Sequence, residues 1–189
     1  MLYCFINCLI ILKCIAFVSA ISGEPNLIVI SFDAFRYDFL SKELTPNLYN
    51  LAANGVTGHM ISNFITKTYP NHQSIATGFF EENHGIINNE FFDPKYNQEF
   101  KVGKHVPDYW WTEAPVTPVW TANQLSGRAS GVMQWPGGGV KYKNQTVRHY
   151  QRYDPDIQWH IRMDTIVQWM TDKKDPANCV FAYFNEPDS

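Results

Sequence analysis

Positive charge is not in surplus in this chain. Fifteen Lys and Arg stand against eighteen Asp and Glu, for a formal charge of −3. The two basic clusters, Lys141 with Lys143 and Lys173 with Lys174, are short and mixed with acids, which is the pattern of a solvated face and gives no basis for binding a nucleic-acid polymer. Cysteine is equally scarce: Cys4, Cys8 and Cys14 fall in the opening stretch, and Cys179 stands alone beyond it. An odd cysteine in a secreted protein is a free thiol, pairs with another chain, or lacks its partner on its own chain. Internal repeats and low-complexity linkers are absent, and mixed composition over 189 residues suits one globular domain rather than a disordered or fibrous chain. The Gly-x-Ser-x-Gly elbow, the Walker phosphate loop, the dinucleotide fingerprint and His-Glu-x-x-His are also missing, so none of the chemistries they carry is indicated.

What is present begins with "MLYCFINCLIILKCIAFVSA", residues 1–20, apolar apart from Asn7, Lys13 and Ser19 and ending in Val18-Ser19-Ala20. That pattern reads as a secretory signal peptide cut near Ala20. A basic leading segment is missing, and the rival reading is an uncleaved anchor. Both place the remainder in the secretory pathway, outside the cell or at its surface. Asn144-Gln145-Thr146 is a glycan acceptor where its loop is exposed.

Apolar runs and helix-like segments then alternate. "NLIVISFD" (26–33) reads as a continuous buried-type strand, "TPNLYNLAANG" (45–55) as a helix opened by Thr-Pro and stopped by Gly, and a further helix follows Thr68 with Pro70 at its first position and Gly78 at its stop. "TPVWTANQLSG" (117–127) repeats the Thr-Pro opening, "ASGVMQW" (129–135) reads as a strand, 157–171 as a helix, and "CVFAYFNEPDS" (179–189) as another buried strand. This order argues an α/β fold with a largely parallel central sheet. Residues 80–115 have few periodic runs and read as a long decorated loop region of the functional kind. "WPGGG" (135–139) lacks a following Lys and reads as a flexible turn, and "HIRMD" (160–164) as a salt-bridged or solvated helix surface.

Ligands of open α/β sheets bind beyond the carboxyl ends of the strands, which puts Asp33 and Asp188 on one rim. Thr68 lies just ahead of a ring of unpaired backbone N–H groups, beside a ready anion site. Two carboxylates and a hydroxyl suit a divalent metal, which would activate the hydroxyl as a nucleophile. The alternative is ordinary capping, for a strand-terminal Asp and for a Thr before Pro alike.

"VISFDAFRYDFL", "TPNLYNLAANGV", "FITKTYPNHQSIATGFFEENHGIINNEFFDP", "PVWTANQL", "WPGGGV" and "FNEPDS" follow one another in this sequence. Together they resemble the ectonucleotide pyrophosphatase/phosphodiesterase family of the alkaline phosphatase superfamily, closest to its short membrane-bound members. The resemblance implies an alkaline phosphatase-like α/β fold with helices on both faces of the sheet, of which residues 21–189 would be the N-terminal part of the catalytic domain. It implies a pair of zinc ions and a threonine nucleophile that splits phosphodiester and pyrophosphate bonds of nucleotides or dinucleotides outside the cell, releasing nucleoside 5′-monophosphates. Carried over by position, Asp33 and Thr68 would share one zinc, Thr68 would be the nucleophile and Asp188 would bind the other zinc. Asn89 would donate to a phosphate oxygen, and Tyr153 and Tyr69 would stack on the base, Tyr69 replacing the usual Phe. Trp135 is either a core residue or a pocket wall.

Two departures stand out. Ala34 replaces the Gly usual after the first Asp, adding a methyl that would crowd the backbone. The His that follows "EPDS", the downstream Asp-His pair and the last His ligand are absent, so the zinc ligand set is incomplete. The sequence therefore reads as an N-terminal fragment, inactive as written, with the partner of Cys179 and the membrane anchor in the missing part. The alternatives are a relative acting on choline phosphodiesters or lysophospholipids, and a non-catalytic secreted fragment.

Overall fold

The computed structural model describes residues 25–102 and 106–188, so the expected signal peptide lies outside them. Strand β1 is Leu27–Phe32, followed by a single 3-10 turn at Tyr37–Phe39, helix α1 (Pro46–Ala53), helix α2 (Thr68–Thr77) and the short α3 (Glu81–His84). The hairpin β2 (Glu90–Asp93) and β3 (Gln98–Lys101) precedes α4 (Tyr109–Thr112), α5 (Val119–Leu125) and β4 (Ala129–Met133). Strand β5 (His149–Gln151), helix α6 (Trp159–Met170) and strand β6 (Ala177–Phe184) complete the order. Four strands form one parallel sheet, β1-β6-β4-β5, as the alternation of strands and helices requires.

The central strand β6 is apolar on both faces because both faces are covered. Phe181 meets Trp120 of α5 and Trp135 edge-on on one side. Val180, Ala182 and Phe184 pack with Met133 and with Ile166 of α6 on the other. Helices therefore cover both faces, and each fully buried large side chain contributes about 1.5–3 kcal/mol. Among the described residues no helix is long and apolar enough to cross a membrane.

Four sequence expectations change. Among the described residues strand β1 borders the sheet and is only half buried, with Leu27, Ile28 and Ile30 each 41–45% exposed. Residues 80–115 are not structureless: they hold α3, the β2–β3 hairpin and α4, because Phe91, Phe100, Trp110 and Trp111 build a core of their own. Helix α2 begins at Thr68 with Lys67 at its cap, so Pro70 is its third residue, still within the first turn where its missing N–H costs nothing. The Gly run is packed, not flexible. A Cβ on Gly137 would meet Trp111 at 2.9 Å, and one on Gly138 would meet Val132 at 2.2 Å.

Candidate active site

The rim of the sheet is set by strand register. Phe32 pairs with Phe184, and the next N–H, that of Asp33, donates to the Phe184 carbonyl at 2.9 Å. The Asp33 carboxylate is thus delivered to the strand end beside Tyr183, whose hydroxyl donates to Asp33 Oδ2 at 2.8 Å. Burial and this carboxylate push the Tyr183 phenol well above its ordinary value, so it remains a donor. Thr68 Oγ1 donates to the same Oδ2 at 3.1 Å. No side chain caps α2, so Thr68 is not a cap; it heads the helix, with its hydroxyl turned to the carboxylate.

Asn89 comes from the turn before the hairpin. Its Oδ1 accepts the Tyr69 N–H at 2.9 Å, which commits the oxygen to the helix start and leaves the amide N–H₂ as the donor end. Asp33, Thr68, Tyr69, Asn89, Tyr153, Tyr183 and Asp188 line one cavity of about 830 Å³. The structure thus brings together every substrate and metal candidate named above, and adds Tyr183, which the sequence reading missed because a tyrosine inside a buried strand looks like core. Trp135 is both: it is 2% exposed and also lines the cavity. Asn144 stands apart, exposed on a turn between Tyr142 and Gln145.

His72 supports Thr68 from below. Its Nδ1 donates to the Thr68 carbonyl at 2.6 Å, so Nε2 of the neutral ring accepts from Ser31 Oγ at 2.8 Å. Trp135 and Tyr183 meet the ring edge-on at 4.8 and 5.0 Å. Burial lowers the His72 pKa, and that of His84, which donates from Nε2 to Ser74 Oγ at 2.9 Å. The unfolded chain therefore binds protons that these rings refuse once pH falls below the ordinary imidazole value of about 6.5, and folding stability drops from there downward. Urea midpoints are expected to be lower at about pH 5.5 than at about pH 7.5; equal midpoints would contradict the assignment of two neutral buried rings.

Within "HIRMD" His160 and Asp164 are exposed as expected, and Arg162 alone departs from the solvated reading. It is 1% exposed, donates Nε to the Ile157 carbonyl at 2.7 Å, and reaches Asn185 Oδ1 at 3.3 Å and Glu186 Oε2 at 3.5 Å through Nη1. It anchors the stretch that leads from β6 to Asp188. Ala34 takes φ +57°, the left-handed region that favours glycine, so its cost lies in the sign of φ and not in crowding. Ala34→Gly is expected to raise stability by about 0.5–1 kcal/mol, read as a higher melting temperature; a fall would refute this account.

Among the described residues no three or more His, Cys, Asp and Glu side chains converge as a metal site. Asp33 and Asp188 with the Thr68 hydroxyl are oxygen donors of the right chemistry for a divalent cation but too few to complete a tetrahedral pair.

Comparison with known proteins agrees with this geometry. The "Type I phosphodiesterase / nucleotide pyrophosphatase" family profile matches residues 27–189. Human ectonucleotide pyrophosphatase/phosphodiesterase family member 5 is 40% identical over 169 residues, covering 87% of this chain and 35% of the relative. The bis(5′-adenosyl)-triphosphatase of Bos taurus is 36% identical over 173 residues, covering 90% and 38%. The chain thus spans little more than a third of these relatives. An inactive threonine-to-alanine variant of murine ectonucleotide pyrophosphatase/phosphodiesterase 5, in complex with AMP, superposes with a TM-score of 0.81 at 41% identity over 87% of this chain and 44% of that one. The human protein superposes at 0.76 and 37% identity, over 86% and 44%. The parallel sheet, the rim that carries Asp33 and Thr68, and these matches together place the chain in the type I phosphodiesterase/nucleotide pyrophosphatase family, with an alkaline phosphatase-like α/β fold.

Proposed function

We propose that the protein to which this chain belongs is an extracellular, zinc-dependent nucleotide phosphodiesterase/pyrophosphatase, with Thr68 as nucleophile. The observation that carries the reading is the Thr68 hydroxyl, held at 3.1 Å from Asp33 Oδ2 at the start of α2. In-line attack by Thr68 Oγ forms the bond to phosphorus and breaks the bond to the leaving group, and water later releases the nucleoside 5′-monophosphate. Asp33 Oδ2 is the acceptor nearest the hydroxyl proton. The Asn89 amide N–H₂, left free to donate because Oδ1 holds the Tyr69 N–H, meets the charge on the non-bridging oxygens. Tyr153 and Tyr69 hold the base between ring faces, which favours nucleotides without choosing a base. Asp33, Thr68 and Asp188 are the residues here that would hold zinc, which when bound supplies Lewis-acid charge stabilisation at phosphorus.

On this reading residues 1–20 are a signal peptide, 21–189 belong to a phosphodiesterase catalytic domain, and exposed Asn144 carries a glycan. The test is to express this chain with whatever follows it in its transcript, signal removed, and assay p-nitrophenyl thymidine monophosphate. Cleavage that stops on chelation and returns with zinc is the expected result; turnover indifferent to chelator would overturn the metal assignment.

A further inference from the structure

The cavity has an acidic lining with one exception. Among its described residues Asp33, Asp108 and Asp188 are carboxylates, and Arg152 is the single cation. Its guanidinium has no hydrogen-bond or ion-pair partner among the described residues, while its backbone carbonyl accepts Gln151 Nε2 at 3.0 Å. The stretch that carries it is nonetheless fixed. Buried Gln134 donates its backbone N–H to the Gln151 carbonyl at 2.8 Å and its Nε2 to the Asp154 carbonyl at 2.9 Å, clamping residues 151–154 at both ends. Tyr150 is seated beside it because position 139 is Gly: a Cβ there would come within 2.7 Å of the Tyr150 hydroxyl. Tyr150, Arg152 and Tyr153 line the same cavity.

A guanidinium and a phenol hydroxyl that line one cavity, the former on a clamped backbone, form a donor set for an anion. We propose that Arg152, with the hydroxyl of Tyr150, is a second anion subsite that takes a phosphate on the nucleoside part of the substrate, at the ribose 2′ or 3′ oxygen. The nucleoside side follows from the chain: Arg152 adjoins Tyr153, the base-stacking residue of the proposed function on which this inference rests, whereas the scissile phosphorus belongs at Thr68. The preferred substrates are then nucleotides phosphorylated on the ribose as well as at the 5′ position.

Calorimetric binding of AMP, adenosine 2′,5′-bisphosphate and adenosine 3′,5′-bisphosphate to the full chain tests this. One bisphosphate is expected to bind about tenfold tighter than AMP, as a charge-assisted contact supplies, with the advantage shrinking as salt rises. Arg152→Met, at an exposed position, should erase that advantage and leave AMP affinity unchanged, and Arg152→Lys should restore part of it. If AMP binds and neither bisphosphate gains, or if the gain survives in Arg152→Met, the subsite is refuted and the nucleotide reading stands. If none of the three binds, both fall together.

Discussion

Thr68→Ala in the protein read from its full transcript is expected to lower turnover of a nucleotide ester by at least about a thousandfold, because the attacking atom is gone and water alone must replace it. AMP affinity should change by no more than about threefold, since the helix start, Asn89 and the aromatic walls are untouched. Stability should hardly move: Asp33 Oδ2 keeps its bond from Tyr183, and Oδ1 keeps the Ala34 N–H. Thr68→Ser separates role from place, because it returns a hydroxyl at the same carbon and should recover measurable turnover. Retention of most activity in Thr68→Ala would sink the nucleophile assignment.

The second large effect is on folding. Arg162→Met is expected to cost about 3 kcal/mol, because it removes the charge-assisted bonds of a buried guanidinium. Most of the loss comes from Ile157 O and Asn185 Oδ1, since Glu186 keeps 34% of its side-chain surface in water and its share is screened. Arg162→Lys should recover only part of the loss: one ammonium cannot replace a rigid fork that bonds through Nε and Nη1 to different residues. Glu186→Gln should be nearly neutral. Denaturant midpoints of the four proteins decide this, and a Met variant as stable as the parent would show that Arg162 is packing alone.

Much of this was legible in the residues. Asp33 and Thr68 are 35 positions apart, yet each lies at the boundary of a segment whose period is plain: an apolar run ends at one, and a helix with Pro and Gly signals begins at the other. The general rule for ligands of parallel sheets does the rest. What could not be read was decided by tertiary contacts. Arg162 carries its charge on a helix whose polar face looks solvated, and only the return of β6 past it shows that it is enclosed. The hairpin in residues 90–101 is a pair of four-residue strands without a strong turn dipeptide, and its stability comes from Phe100 stacking on Phe91 and meeting Trp110 edge-on.

The bond from the Asp33 amide to the Phe184 carbonyl is the last rung of the β1–β6 ladder, not a separate loop contact. The spacing between the Asp33 carboxylate and Tyr183 is therefore measured out by strand pairing, and the sheet works as a ruler whose final graduation is the rim. A shift of the ladder by one residue would turn this edge of the rim inside out. For this pair of side chains, the geometry of the rim and the pairing of the sheet are one property.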